Sequence, residues 1–528
     1  MNKYILKLHY LFSFIFASIT GILAILSMFI HCQTNIYTYD LPKHLEYHTA
    51  LVYIGLAAFG IAAIAILCRL LEYIFKITGK GTQISHKIVL FCGAVILMAG
   101  IFWISFNDGV PVSDQIHVHE EAQRIAGFLD SPFDTGYFSY YQRNRGVTLL
   151  AALAFKIFGN HLYSFQIFNL AALLITYCSI CKASELIYKN PLITSITAFL
   201  LMLFYPLFIY TSYLYGTLLS AGFASLGLYA ATALCVKGKM KYGLLMIFAF
   251  PFGILMHQSA AISLVASVIY LFIHSKNKTL LRNVIISIAT IVMVFLSVKA
   301  VDTAYVHITG ADPSFPAVPA TCTMYMGLTA TEGYAGPGSH DGSESDIFNE
   351  NNRDEHAANK DAVSRIFIVV REYLTGKRSL YFFLEKTEYQ WLDPTFNARR
   401  VIRLNDLNEG TPPNSDSFIA FYNSSFRTII FKLSIGFMLL IYACSFLTGT
   451  VTIRNIMEHP LAILIQLYFI GGFAFQLIWE SFSRYCFCYF LWLIPEASFG
   501  LYYLYCSILK MLAKQNFSHL RQLHRKNK

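Results

Sequence analysis

Long apolar stretches alternate with short polar segments along most of this chain. A helix needs about 20 apolar residues to cross the hydrocarbon core of a bilayer. On this criterion we predict an all-α integral membrane protein with about 12 transmembrane helices and two large extracytoplasmic loops. The predicted spans are 9–31, 50–75, 88–107, 163–186, 191–212, 215–236, 242–257, 259–274, 281–301, 429–449, 460–479 and 484–508. The apolar run 147–158 is too short to cross comfortably, and we expect it to re-enter the membrane or lie in the interface.

The distribution of lysine and arginine predicts the orientation of these spans. Cytoplasmic loops of membrane proteins are enriched in both residues. With both termini placed in the cytoplasm, every predicted inner loop carries a basic residue, whereas the short outer turns near 213–216, 257–258 and 481–483 carry none. This agreement requires that 147–158 does not cross. The two large outer segments are then 108–162 and 302–428.

The same pattern divides the chain into five parts. Residues 1–87 form an N-terminal pair of spans, and 88–301 form a transmembrane core that includes the first outer segment. Residues 302–428 form a large extracytoplasmic region, 429–508 the last spans, and 509–528 a basic cytoplasmic tail. Within the large region, 361–377 is predicted as an amphipathic helix, 381–394 is an aromatic-rich patch, and 333–356 is predicted as a loop because Gly, Ser, Asp and Asn dominate it.

Composition supports a membrane protein and argues against other classes. Apolar residues make up 56% of the chain and charged residues 13%, whereas soluble domains carry about 25% charged residues. We assign the net charge of +10 mainly to basic inner loops, so nucleic-acid binding is not expected. The 11 cysteines form neither a zinc-binding spacing nor a disulfide framework, although a bridge between Cys32 and Cys322 remains open.

The first outer segment gathers an unusual number of ionisable side chains. Asp114 falls in the first turn of a predicted helix capped by Ser113, where the helix dipole favours a carboxylate. Its role is either that of a helix-capping residue or that of a catalytic base. His117, His119 and Glu120 follow, and a divalent metal ion remains an open alternative for this group. The sequence leaves both the metal and any cofactor undecided.

Several outward-facing basic residues call for an explanation. Arg143 and Arg145 lie outside, against the charge trend of the loops, and either pair with Asp130, Asp134 or lipid phosphate, or bind a substrate phosphate. Arginine suits phosphate because its planar donors form two parallel hydrogen bonds. Lys386 in the aromatic-rich patch is a similar candidate. Glu480, Arg484 and Tyr485 flank the outer turn before the last span, where Glu480 and Arg484 either pair with each other or belong to a site.

The layout of these features resembles a known family. A span is followed by an outer loop with an early aspartate and an amphipathic helix, then by an aromatic stretch, a short apolar run ending in 155-FKIFGN-160, and a late 480-ESFSRY-485. The chain resembles the polytopic glycosyltransferases of the GT-C fold, such as protein O-mannosyltransferases and the aminoarabinose transferases of lipid A. The resemblance extends from about residue 88 to residue 508.

The resemblance implies a glycosyltransferase of the cell (plasma or inner) membrane, with a polyprenyl-phosphate sugar as donor and an extracytoplasmic active site. The acceptor would be a cell-envelope glycan, a lipid or a protein. Asp114 would be the catalytic base, and Arg143, Arg145 and Arg484 would bind the donor phosphate. From the residues themselves we add Lys386 as a candidate phosphate ligand and His117, Glu120, Glu480 and Tyr485 as candidate supporting residues. Two departures from the family pattern, 114-DQ-115 and 142-QRNRG-146, bear on acceptor type and metal dependence.

Two other functions fit parts of the sequence. An O-antigen or capsule-type polysaccharide polymerase or ligase would have a similar number of spans and a large late outer loop, with Arg353, Arg399, Arg400 and Arg403 as functional residues. A transporter or lipid flippase would place charged residues near the middle of spans. The charged residues Arg69, Glu72 and Glu496 instead lie near predicted span ends, which counts against transport.

The predicted orientation places residue 340 outside the cell. A cysteine introduced in place of His340 should therefore react with a membrane-impermeant maleimide added to intact cells. Labelling of this cysteine only after the inner membrane is opened would contradict the predicted topology.

Overall fold

The computed structural model describes residues 3–29, 47–106, 111, 113–312, 316–330, 336–398, 425–454 and 459–526. These residues form helices and connecting turns, and no β-strand is found among them. The helices are α1 Lys3–Met28, α2 Tyr47–Thr78, α3 Gly81–Phe106, α4 Asp114–Ala126, α5 Thr135–Tyr140, α6 Arg145–Phe158, α7 Leu162–Tyr188, α8 Pro191–Leu203, α9 Pro206–Ile209, α10 Thr217–Lys237, α11 Met240–Met256, α12 Ala261–Ile273, α13 Asn277–Thr309, α14 Ala320–Thr329, α15 Ser343–Glu350, α16 Glu355–Leu374, α17 Tyr381–Trp391, α18 Ser425–Arg454, α19 Ile463–Ile478, α20 Phe487–Leu491 and α21 Leu493–Lys526.

The helices confirm an all-α polytopic membrane protein. In the described part of the chain, eight are long and apolar enough to cross a bilayer, and α8 with α9 forms a further pair bent by 57°. The shorter apolar helices α11 and α12 correspond to the two short spans predicted from the sequence. Helix α13 is mostly exposed along its apolar surface, which suits contact with lipid, whereas α10 is largely buried between α7 and α11.

Two stretches predicted as continuous spans are interrupted in the structure. The predicted span 191–212 is divided between α8 and α9, where Pro206 has no N–H to continue the helical hydrogen bonds. The predicted span 484–508 begins with a 3₁₀ turn, Ser483–Tyr485, followed by the short helix α20 and then α21. Both interruptions place irregular backbone beside the outer segments, where buried polar side chains can line it.

Helix α6 has 14 residues, so it is about 21 Å long and shorter than the hydrocarbon core of about 30 Å. It packs against α4, α7 and α13 on one side. Leu153, Ile157 and Phe158 remain exposed on the other side. This amphipathic arrangement suits a helix in the membrane interface, as the sequence predicts for 147–158.

The described part of the large outer segment is helical and enters the bundle. Residues 343–350, inside the stretch 333–356 that we predicted as a loop, form α15, so that prediction was wrong for this part. The predicted amphipathic helix is confirmed as part of α16. At the end of α17, Trp391 is fully buried against Phe469 and Phe473 of α19, and Tyr442 donates a hydrogen bond to its carbonyl.

Small residues allow close contact between the spans. A Cβ atom added to Gly500 of α21 would lie 2.2 Å from the carbonyl oxygen of Cys444 in α18. Similarly, a Cβ atom at Gly449 of α18 would lie 2.8 Å from the Cβ atom of Ala17 in α1. Close backbone approach at small residues is a main source of helix association in lipid.

Gly500→Ala should lower the thermal unfolding midpoint because α18 and α21 would have to separate, at a cost of about 1–3 kcal/mol. Gly55→Ala in α2 is the matched control because no atom lies within 4 Å of its added Cβ. The control should leave the midpoint unchanged or raise it slightly. Equal midpoints for the two variants in detergent would contradict this packing.

Candidate active site

Asp114 is the first residue of α4, and a third of its side chain is exposed, 34%. Its N-cap residue, Ser113, has a positive φ of 55° and does not cap the helix with its side chain, contrary to the predicted capping role. The Oδ2 atom of Asp114 lies 3.5 Å from the Nη2 atom of Arg484. The early aspartate and the late arginine of the sequence therefore meet in space.

Arg484 is held from several sides in a buried position. Its Nη1 donates to the hydroxyl of Tyr213 at 2.9 Å, and its Nη2 donates to the hydroxyl of Tyr485 at 3.2 Å. The guanidinium also lies over the ring of Phe482, 4.7 Å from the centroid. Burial acts to lower the pKa of Arg484, but the surrounding hydroxyls and Asp114 outweigh it and raise the pKa above its ordinary value. The side chain is a fixed cation.

Glu480 is connected to Arg484 through Tyr485. The Tyr485 hydroxyl donates to Oε2 of Glu480 at 3.2 Å while it accepts from Arg484. Among the described residues, Glu480 and Arg484 form no direct ion pair, so the pairing that the sequence left open is replaced by this bridge. Burial raises the pKa of Glu480, and the nearby Glu344 carboxylate raises it further, against the opposing charges of Arg143 and Arg484.

Arg143 lies in the 3₁₀ turn before α6, with its guanidinium 5.0 Å from the ring centroid of Tyr141. Within the described ranges it has neither an ion pair nor a hydrogen bond from its guanidinium. Burial opposes its charge, but Glu344, Tyr215, Glu480 and Tyr485 raise its pKa. Arg143 is therefore a protonated guanidinium next to Glu480 and Glu344, with its hydrogen-bond donors available.

Glu344 completes this group, which we call the central cluster: Asp114, Arg143, Glu344, Glu480, Arg484 and Tyr485. Glu344 is buried at the start of α15 and accepts hydrogen bonds from Tyr141 at 3.0 Å and Thr323 at 2.7 Å. Burial acts to raise its pKa, but His340, Arg143 and Thr323 lower it to about 2. Nearby, burial and the charges of Arg484 and Arg143 lower the pKa of His257 to about 3, so its ring is neutral.

Arg145 and Lys386, two candidate ligands of the donor phosphate, are both engaged in contacts within the protein. Arg145 lies 3.3 Å from Asp302 and over the ring of Tyr305, so it connects α6 to α13 and pairs with neither Asp130 nor Asp134. Lys386 is fully buried, and its Nζ donates to the carbonyl oxygens of Gly327 at 2.5 Å and Trp479 at 2.6 Å. Lys386 therefore fixes the backbone next to Glu480.

His117 and Glu120 are also engaged within the first outer segment. The Nδ1 atom of His117 lies 2.7 Å from Asp134, and its ring stacks on Tyr137. Glu120 pairs with Arg124 at 2.9 Å. The ring of His119 packs against Phe155. In the described part of the chain, no group of three or more His, Cys, Asp or Glu side chains is arranged to hold a metal ion.

Cys322 is buried with a free thiol in α14, and Cys32 lies outside the described residues, so the bridge that the sequence left open is not tested.

The comparisons with known proteins bear on the middle of the chain. Residues 146–301, from the start of α6 to the middle of α13, match the family model described as dolichyl-phosphate-mannose-protein mannosyltransferase. This segment is a GT-C family domain. The match supports a membrane glycosyltransferase of the GT-C type that uses a polyprenyl-phosphate sugar as donor. No curated protein matches the chain.

The central cluster lies outside this GT-C segment. Asp114 and Arg143 precede residue 146, and Glu344, Glu480, Arg484 and Tyr485 follow residue 301. The sequence singles out all of these as candidate site residues except Glu344. Glu344 lies in a stretch rich in Gly, Ser, Asp and Asn that is predicted as a loop. Tyr141, Tyr215 and His257 were also missed, because no motif distinguishes them from the many other aromatic and polar residues near outer turns.

Glu344→Gln should lower the free energy of unfolding near neutral pH by about 1–3 kcal/mol. The substitution removes a buried charge near Arg143 and one of the two carboxylate oxygens, each of which accepts a hydrogen bond. Since folding lowers the pKa of Glu344 from 4.5 to about 2, its contribution is fully present above pH 4.5 and is lost as the pH falls through 2. Thermal unfolding midpoints of the variant and the wild type should converge over this range.

Asp346→Asn provides the matched control for this measurement, because Asp346 lies on the same helix with an exposed side chain and forms no ion pair among the described residues. Its midpoint should follow that of the wild type at every pH. A gap between wild type and Glu344→Gln that stays constant down to pH 2 would contradict the assigned charge state of Glu344.

Proposed function

We propose that this GT-C enzyme transfers a sugar from a polyprenyl-phosphate donor to an acceptor hydroxyl or amine at the extracytoplasmic face of the cell membrane. The observation that carries the proposal is the central cluster, where a partly exposed carboxylate and an arginine with free donors lie beside the broken helices. In the predicted topology this cluster faces outwards. The acceptor class is a cell-envelope glycan, a lipid or a protein.

Asp114 is the proposed general base. Among the described residues its ionic neighbour is Arg484, at 3.5 Å, and part of its side chain is exposed. Arg484 places a buried cation within ion-pairing distance of this carboxyl group. An ionised and accessible carboxylate can take a proton from an acceptor group within hydrogen-bonding reach.

Arg143 is the proposed ligand of the donor phosphate. Its guanidinium lacks an ion-pair partner in the described part of the chain and is surrounded by groups that keep it protonated. A phosphate would provide the two parallel acceptors that a guanidinium binds best. Arg484 has fewer free donors, because two of its nitrogens already bind Tyr213 and Tyr485, and we assign it mainly to orienting Asp114.

The proposed reaction inverts the configuration of the sugar. Asp114 accepts the proton of the acceptor group as its oxygen or nitrogen forms a bond to the anomeric carbon. The bond between that carbon and the phosphate oxygen breaks at the same time, and its electron pair leaves with the polyprenyl phosphate. Arg143 stabilises the negative charge that develops on the leaving oxygen. The proton then passes from Asp114 to water.

The structure provides little support for the two alternative functions, a polysaccharide polymerase or ligase and a transporter or lipid flippase. A polymerase or ligase would use Arg353 and the arginines of 399–403. Arg353 donates a hydrogen bond to Asn349 and lies over the ring of Tyr140. Arg399, Arg400 and Arg403 lie outside the described residues. For the transporter reading, Arg69 and Glu72 pair with each other near the end of α2, with largely exposed side chains. Glu496 lies at the centre of the predicted span 484–508 and not near its end, so that part of the argument against transport was wrong. It is buried in the first turn of α21 and forms no ion pair with any described residue.

Asp114→Asn should lower the rate of sugar transfer by about 10²–10⁴-fold, because the variant cannot accept the acceptor's proton. The measurement is release of polyprenyl phosphate by protein in vesicles supplied with donor and acceptor. Asp130→Asn is the control, because Asp130 is an exposed carboxylate of the same outer segment, and it should retain the wild-type rate. A folded Asp114→Asn variant with full activity would rule out this mechanism.

Arg143→Ala should raise the KM for the donor by about 10–100-fold, because a charge-assisted hydrogen bond contributes about 1.5–3 kcal/mol. Arg143→Lys should recover part of this loss, since it keeps the charge but not the paired donors. Lys360→Ala removes an exposed cation from α16 and should not change KM. An unchanged KM in Arg143→Ala would place the donor phosphate elsewhere.

A further inference from the structure

The end of α16 and the start of α17 are joined by a short connection and touch through Tyr373 with Phe382 and Phe383. We call these two helix ends the hairpin, and their outer surface is unusually apolar. Phe367, Ile368 and Leu374 on α16 are 72%, 57% and 83% exposed, and Leu380 and Tyr381 are 66% and 57% exposed. We call the surface formed by Phe367, Ile368, Leu374, Leu380, Tyr381 and Leu384 the hairpin patch. Neighbouring large apolar side chains on the outside of a folded segment usually mark a contact surface.

The opposite side of the hairpin is well packed, so the exposure of the patch is not a sign of an unfolded segment. Val369, Tyr373 and Phe382 are buried together with Leu328 of α14. The Tyr373 hydroxyl also donates a hydrogen bond to the carbonyl of Leu328 at 2.9 Å. The hairpin is therefore held in a fixed orientation, with one face directed inwards and the patch directed outwards.

Helix α17 fixes the level of the patch relative to the membrane spans. Lys386 binds the carbonyl of Trp479, which directly follows the last residue of the spanning helix α19. Tyr381 is five residues from Lys386, or about 8 Å along the helix. With the length of the lysine side chain and its hydrogen bond added, Tyr381 lies within about 16 Å of the level of that span end. The polar interface on each side of the hydrocarbon core is about 5–8 Å thick. The start of α17 therefore lies near the membrane surface.

The charges around the patch suit lipid headgroups. Arg371 and Lys377 are exposed beside the apolar side chains. Arg378 is neutralised by Glu372 at 2.6 Å. Apolar side chains flanked by free cations are typical of segments that lie in the membrane interface, where the cations meet lipid phosphates.

We propose that the hairpin patch is a membrane-interface contact, in which the apolar side chains enter the outer leaflet and Arg371 and Lys377 bind phospholipid phosphates. The large outer segment is then held at two places: inside the bundle through Trp391, and on the bilayer through the patch. This inference concerns bulk phospholipid and does not depend on the proposed transfer reaction.

The test uses the full-length protein in nanodiscs of phosphatidylethanolamine and phosphatidylglycerol. The photoreactive residue p-benzoylphenylalanine replaces Leu374, and mass spectrometry identifies what it captures after irradiation. A phospholipid adduct is expected at a yield at least about fivefold above that of the same residue at Glu355, an exposed position at the polar start of α16. Leu380 provides a second labelling position if the Leu374 variant folds poorly.

Each other outcome would overturn the proposal. Capture of residues 399–424 would mean that the chain itself covers the patch. Capture of a second copy of the protein would identify a dimer interface. Lipid adducts no more abundant than at Glu355, in a folded protein, would mean that the patch faces water.

Discussion

The buried guanidinium of Arg484 is the charge on which the arrangement of the site depends. A cation removed from water is strongly destabilising unless acceptors surround it. Two acceptors come from distant parts of the chain, Asp114 at the start of α4 and Tyr213 in the irregular stretch before α10, and the third is the neighbouring Tyr485. Satisfying this one charge therefore joins the first outer segment, the GT-C segment and the turn before α20. This occurs at the interruption that begins the predicted span 484–508.

The described part of the large outer segment contributes further contacts to the central cluster. Lys386 donates a hydrogen bond to the carbonyl of Trp479. The backbone N–H of Ser481 donates a hydrogen bond to the carbonyl of Gly338. Both neighbours of Glu480 are therefore held in place by this segment. Gly338 has a positive φ, and an added Cβ atom would lie 2.9 Å from the Nζ atom of Lys386. The same segment supplies Glu344, which lowers the net positive charge around Arg143. A phosphate at Arg143 would therefore be attracted by the two arginines and repelled by this carboxylate.

The sequence predicted the class of fold well because a bilayer imposes a simple length criterion on apolar runs. It also selected Asp114, Arg143 and Arg484, since charged residues are rare in this chain and those in the predicted outer segments and turns stand out. It could not separate Arg143 from Arg145, which are two residues apart but point to different partners. It treated Lys386 as an exposed residue, because nothing in the sequence reveals the two carbonyl groups that bind it. It missed Glu344 because local composition predicts a loop, and only packing against Tyr141 and Thr323 buries that carboxylate.

The most direct test of the central claim is to locate the donor phosphate. A cryo-EM structure of the protein in nanodiscs with bound polyprenyl phosphate would do so without any assumption about the sugar or the acceptor. We expect phosphate density within hydrogen-bonding distance of Arg143, beside Asp114 and Arg484. Density at the arginines of residues 399–403, with the central cluster unchanged, would contradict it and favour the polymerase or ligase function.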